Sequence, residues 1–130
     1  PEDDFPGACR LHDDCLEGLA AGPSLEERFG SEGEHLTGDD LARAVRFESF
    51  YLGQLARNLV YVLAPERVIL GGGVSEMPGL IERTRACLED ELAGYPGLPE
   101  HRAGFVVTPG LGSLPGLAGG LILAEQALDS

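Results

Sequence analysis

Apolar residues recur along this chain with two different periods, and runs of glycine, proline and acidic residues separate the stretches. From Cys15 onward, Leu16, Leu19 and Ala20 share one face of a helix, which Gly22-Pro23 is expected to stop. Ser24 has the side chain of an N-cap for a helix over 25–29. Glu26 and Glu27 then fall in its first turn, where negative charge meets the positive end of the helix dipole. Residues 30–38 are polar, with three glycines, and are expected to form an exposed loop. Asp39 or Asp40 then caps a long helix reaching about Ala64, along which Leu41, Val45, Phe50, Leu52, Leu55, Leu59 and Val62 recur at helical spacing. Positions 59–63 are apolar nearly all round, which predicts a buried end. Pro65 terminates the helix.

The period then changes. Val68-Ile69-Leu70 is a short apolar run with β-branched residues, broken by Gly71-Gly72-Gly73, the pattern of a buried parallel strand entering a glycine turn. Pro78 suits the first turn of the next helix, which carries Leu80, Ile81, Thr84, Leu88 and Leu92. Residues 94–100 form a turn region, Phe105-Val106-Val107 a second strand, and the last helix runs from near Pro115 to Leu128 with Gly116, Gly119 and Gly120 in its early turns. The order is α/β with parallel strands, and two strands make an incomplete sheet. The missing strands are expected upstream of Pro1, so the chain reads as a fragment.

Composition narrows the function. At 43 % apolar residues the chain can build one modest core. Its formal net charge of −13 argues against nucleic acid or an anionic membrane surface as the main partner. No apolar run approaches the ~20 residues of a membrane helix, and Pro1-Glu2-Asp3-Asp4 is no export signal. Three cysteines, an odd number, argue against a disulfide framework and for a reducing, cytoplasmic compartment. Cys87 falls in a helical pattern and is expected to be an inert core residue.

Cys9, His12 and Cys15 stand apart in a loop-like opening segment, in the form C-x2-H-x2-C. Zinc favours thiolate and imidazole donors, and this spacing lets three of them come from one loop. The spacing fits equally well two free thiols and a surface imidazole in an acidic loop. Glu17 follows at a helix start, where position alone favours a charge complementing the helix dipole. The triplet Gly71-Gly72-Gly73 lets backbone approach a ligand closely, although a bare glycine triplet is most often a tight turn.

The stretch from Asp4 to Pro23, with Cys9-Arg10-Leu11-His12-Asp13-Asp14-Cys15-Leu16-Glu17-Gly18 at its centre, resembles the zinc segment of the ROK family of bacterial sugar kinases and sugar-responsive repressors. The C-x2-H-x2-C-L-E-G form is similar to the fructokinase branch. The resemblance continues through Pro65-Glu66-Arg67-Val68-Ile69-Leu70-Gly71-Gly72-Gly73-Val74 and, more loosely, Pro109-Gly110-Leu111-Gly112. It implies the C-terminal portion of an actin-like ATPase (ribonuclease H-like) domain. Residues 1–23 would be the zinc and sugar-contact segment and residues 39–130 part of the nucleotide-binding subdomain. It also implies structural Zn²⁺ on Cys9, His12 and Cys15 with a further histidine ligand upstream, and a sugar contact at Glu17. Mg²⁺-ATP contacts would fall at Gly71, Gly72, Gly73, Val74 and Ser75, with Pro23 across the cleft. The implied activity is phosphoryl transfer from ATP to a hexose 6-hydroxyl, with fructose the expected sugar and a homodimer the expected assembly. The general base, an Asp in the family, matches no residue here, so the chain alone is expected to be inactive. A repressor without catalysis is the alternative. The stretch Ser113-Leu114-Pro115 departs from the family pattern, and no contact is assigned there.

Overall fold

The computed structural model describes residues 2–95, 104–112 and 114–128. The elements are α1 (Leu16–Leu19), α2 (Gly22–Phe29), α3 (Gly38–Leu63), β1 (Val68–Ile69), α4 (Leu80–Leu92), β2 (Val106–Val107) and α5 (Pro115–Leu128). Short 3-10 turns lie at Gly33–His35 and Gly73–Glu76. The expected α/β order is present, with two parallel strands in register Val68 with Val106 and Ile69 with Val107.

Alternation along the strands decides which sheet face is covered. Val68 and Val106 are buried with Phe105 against Ala56 and Val60 of α3 and Leu88 and Leu92 of α4, while Ile69 points away and is 63 % exposed. Arg85 of α4 donates from Nε to the Val106 carbonyl at 2.8 Å, which ties helix to strand. A second cluster joins Leu25 of α2, Leu36, Ala44 and Val45 of α3, Met77 and Leu80. That cluster fixes α2 and the loop after it against the first half of α3, and so positions the opening segment.

Several boundaries differ from the pattern reading. Gly22-Pro23 does not end a helix but opens α2, because proline is free at a position where the amide has no intrahelical partner. Ser24 is therefore not the N-cap: it lies inside α2, its hydroxyl donating to the Ala21 carbonyl at 2.6 Å and accepting from the Ala21 amide at 3.0 Å. Thr37 rather than Asp39 or Asp40 holds the N-cap position of α3, and both acids sit in the first turn. Pro78 lies just ahead of α4, which Gly79 caps in a left-handed conformation. The loop over 30–38 is not wholly exposed, since Leu36 and Gly33 are buried. The end of α3 is not buried: among 59–63 only Val60 is, and Val62 is 79 % exposed. Helix α5, apolar as expected, has no buried residue among those described. No described helix is long and apolar enough to cross a membrane.

Candidate functional site

Cys9, His12 and Cys15 converge. Their ligand atoms all lie within 4.8 Å of one another, and Cys9 Sγ is 3.9 Å from His12 Nδ1. The edge of a sulfur–nitrogen tetrahedron around zinc is about 3.5 Å, so these donors fit such an ion with small adjustments. The loop is closed by backbone: the Cys9 amide donates to the Asp13 carbonyl at 3.3 Å and the Asp13 amide to the Cys9 carbonyl at 3.0 Å. Hydrogen bonds from the Leu11 and His12 amides, and then from Cys15, pull the Cys9 thiol below its ordinary range. A lowered thiol pKa favours the thiolate that binds metal.

Gly18 makes this loop possible. A Cβ there would stand 1.9 Å from the Asp13 carbonyl oxygen and 2.9 Å from the Cys9 Cβ, both in fixed parts of the loop. Gly18→Ala is expected to weaken zinc binding by on the order of 10–100-fold, the loss typical when support for metal ligands is removed. Competition titration with a chromophoric chelator reads it, and equal affinities would show that the loop tolerates the displacement.

The glycine turn borders three cavities that share Gly73. A cavity of about 620 Å³ is lined by Gly71, Gly72, Gly73, Thr108 and Pro109 among others. A cleft of about 360 Å³ has Gly22, Pro23 and Glu26 on one side and Gly73 and Val74 on the other. A third, of about 310 Å³, runs between Ala20–Gly22 and Gly71–Ser75. Gly72 has φ 90° and ψ 170°, a region closed to residues with a Cβ. Ser75 holds that conformation by donating its hydroxyl to the Gly72 carbonyl at 2.7 Å and its amide at 3.0 Å. The amides of Gly71 to Val74 donate to no described protein group and are open to an anion. Pro23, Gly71, Gly72, Gly73, Val74 and Ser75 thus line neighbouring cavities that share Gly73. Glu17 lies apart from these cavities, exposed on the first turn of α1.

The model of the ROK family matches residues 2–127. The chain belongs to the ROK family. It is 40 % identical over 130 residues to the fructokinase of Pediococcus pentosaceus, all of this chain and 44 % of that protein. It is 46 % identical over 95 residues to the fructokinase of Lactococcus lactis subsp. cremoris, 73 % of this chain and 32 % of that protein. It superposes on the ROK hexokinase from Thermus thermophilus with a TM-score of 0.68 at 28 % identity, covering 86 % of this chain and 41 % of the other. The chain therefore spans less than half the length of these relatives.

The pattern reading of this ROK chain missed the charges that tie the segment before Cys9 to α2 and α3. Asp3, in the loop-like opening segment, has a side chain only 6 % exposed. Its carboxylate accepts two bonds from Arg28 of α2 at 2.5 and 2.7 Å, one from the Tyr51 hydroxyl of α3 at 2.5 Å and one from the Phe5 amide at 3.2 Å. Burial pushes the Asp3 carboxyl up, but the bonds from Arg28, Tyr51 and Phe5 outweigh it and leave the pKa at about 2. The Arg28 guanidinium lies over the rings of Phe5 at 4.1 Å and Phe47 at 4.9 Å. Tyr51 is pushed up to about 12 by burial and by the Asp3 charge. Glu48, on α3, is fully buried with neither oxygen bonded to a described group, and burial raises it to about 8 against the opposing pull of Arg28. Cys87 is half-buried, 3.8 Å from the Ser49 hydroxyl, in keeping with a packing role.

Proposed function

We propose that this chain is the C-terminal, metal-loop and nucleotide-binding portion of an ATP-dependent sugar kinase. The reaction is transfer of the γ-phosphoryl group from Mg²⁺-ATP to a hexose 6-hydroxyl, with fructose the favoured acceptor. The supporting observation is the cleft between Ala20–Gly22 and Gly71–Ser75, which brings the chain leaving the metal loop alongside a glycine turn with unengaged amides. Phosphoryl transfer rests mainly on positioning and on donors aimed at phosphate oxygens, and such a turn supplies donors without spending a side chain. Zn²⁺, when bound by Cys9, His12 and Cys15, braces the loop that carries Glu17. The two oxygens of Glu17 suit acceptance from neighbouring sugar hydroxyls. Gly71, Gly72, Gly73, Val74 and Ser75 contact the nucleotide, with Pro23 opposite. We further propose that the general base lies outside this chain, that the actin-like fold is completed by the rest of a cytoplasmic protein, and that the whole enzyme is a homodimer.

The full-length protein, loaded with zinc, is expected to phosphorylate fructose in a coupled assay. Glu17→Gln is expected to raise the fructose KM about 10-fold or more while leaving the ATP KM within a factor of two, as loss of a charged hydrogen-bond acceptor would. Binding of fructose without turnover, together with sugar-dependent DNA affinity, would instead establish a repressor.

A further inference from the structure

We propose that Cys9 and Cys15 form a redox modification site: hydrogen peroxide joins them in a reversible disulfide, which frees the metal from the loop and withdraws Glu17 from the sugar. The effect on the sugar rests on the reading of Glu17 given above, whereas the disulfide and the metal release stand without it.

The two thiols are close together and open to solvent. Their sulfurs and a ring nitrogen of His12 lie within 4.8 Å of one another. Both cysteines are only partly covered, and every residue from Arg10 to Asp14 is exposed, so a small oxidant reaches them from water. The backbone between them is already folded back on itself by the paired bonds of Cys9 and Asp13, at 3.3 and 3.0 Å. Little chain entropy is therefore left to lose on closing the ring. A disulfide sets its sulfurs about 2 Å apart, so they travel at most about 3 Å. Cys87 is no competitor, since it lies on α4 against Ser49 and Gly53, outside this group.

The chemistry balances with one molecule of peroxide. A thiolate sulfur attacks one peroxide oxygen; the S–O bond forms, the O–O bond breaks, and the departing hydroxide takes a proton to become water. The second thiolate then attacks the sulfenic sulfur; the S–S bond forms, the S–O bond breaks, and a second hydroxide is protonated to water. The two sulfurs give up two electrons in all, and the peroxide gains them. A partner thiol held this near outruns further oxidation of the sulfenic acid. Exposed disulfides are the readily reduced kind, so a thiol reductant restores the pair.

Closure acts on the metal and on Glu17 together. With both thiolates consumed, His12 is the one donor of the trio that remains, too few to hold zinc. Cys15 holds the N-cap position of α1, a single turn of 4 residues, and Glu17 sits two positions on. Cys9 abuts the other flank of Glu17: a Cβ on Gly18 would stand 2.9 Å from the Cys9 Cβ. Drawing the sulfurs together therefore pulls on this turn from both sides of Glu17. The turn's own backbone bonds, Leu19 to Cys15 at 3.0 Å and Ala20 to Leu16 at 2.8 Å, resist little, because one helical turn is not stable by itself.

The test uses the full-length protein, reduced and zinc-loaded, then treated with hydrogen peroxide. Trypsin cleavage after Arg10 and Arg28 puts Cys9 and Cys15 on different peptides. The expected result is that these two peptides stay joined, two hydrogen masses below their sum, while zinc passes to a chromophoric chelator in step. The fructose KM should rise about 10-fold, the size expected for loss of the Glu17 contact, and return on adding dithiothreitol and zinc. Peptides that separate, whether unmodified or carrying added oxygen, overturn the modification site. Joined peptides with zinc retained overturn the metal release, and joined peptides with an unmoved fructose KM overturn the coupling to Glu17. Absence of phosphoryl transfer before oxidation falls on the kinase reading itself, and peptide linkage and zinc release then decide the disulfide separately.

Discussion

Replacing Glu48 with glutamine is expected to stabilise the fold at pH 8 by several kcal/mol and to flatten its dependence on pH. The side chain is fully buried and neither oxygen has a described partner, so burial lifts its pKa from 4.5 to about 8, only partly opposed by the Arg28 charge. The folded state therefore holds a proton that the unfolded chain releases above pH 4.5. Stability is highest below that value and falls as pH rises toward 8, where the folded carboxyl also ionises. At ~1.4 kcal/mol per pKa unit, the loss is ~3 kcal/mol by pH 7 and ~4 kcal/mol by pH 8, where the folded carboxyl is half ionised. Glutamine keeps the shape of the protonated acid without a proton to lose. Urea unfolding at pH 5, 7 and 8.5 should give curves that nearly coincide at pH 5 and diverge progressively above it. Parallel losses for the two proteins from pH 5 to 8.5 would show that Glu48 ionises freely in the folded state.

The contrast between Glu48 and its neighbours shows what the sequence carries. The long helix was legible because Val45, Leu52 and Leu59 repeat at its period, and the strands because Val68 and Val106 lie in short β-branched runs closed by glycine or proline. The convergence of Cys9, His12 and Cys15 was legible because the three side chains are close in sequence, although their spacing alone fits free thiols and a surface imidazole as well. Glu48 was not, because periodicity assigns a charged residue to solvent even at a position on the covered face. Asp3 was not, because its burial depends on Arg28, 25 positions away, and Tyr51, 48 positions away, and no local pattern encodes either pairing. The end of α3 failed in the opposite sense. An apolar segment such as 61–63 states a tendency to be covered, but burial also needs a second surface, and no described element supplies one.

The Cys9–Cys15 loop and the glycine turn have different foundations. The turn grows directly out of β1, so it inherits the rigidity of the sheet and of the α3–α4 layer beneath it. The loop precedes every regular element. It is held by its own backbone closure, by the Ala8 amide on the Gly18 carbonyl at 2.9 Å, and by the buried contacts of Asp3 and Phe5 with α2 and α3. The placement of Glu17 on α1 thus depends on the Asp3–Arg28 pair as well as on the backbone bonds of the loop.

Arg28→Met tests the anchor, and a loss of about 3–5 kcal/mol is expected, the usual cost of stranding one partner of a buried ion pair. The side chains of Arg28 and Asp3 are 7 % and 6 % exposed, so water cannot take over the role of the guanidinium. Methionine preserves the apolar contact with Phe5 and Phe47, which confines the change to charge and hydrogen bonding. The pH dependence should change as well. In the parent the Asp3 pKa is depressed from 3.8 to about 2, so its contribution is complete above pH 4 and fades as pH falls toward 2. Without Arg28, burial is opposed only by the bonds from Tyr51 and Phe5, so the folded carboxyl rises and the variant should lose less stability on mild acidification than the parent. Adding Asp3→Asn to Arg28→Met should recover most of the loss, because the stranded charge is gone. A double-mutant cycle from thermal and urea unfolding measures the coupling. A coupling below about 1 kcal/mol would mean that the pair behaves as an exposed one, and that the opening segment is seated by packing rather than by charge.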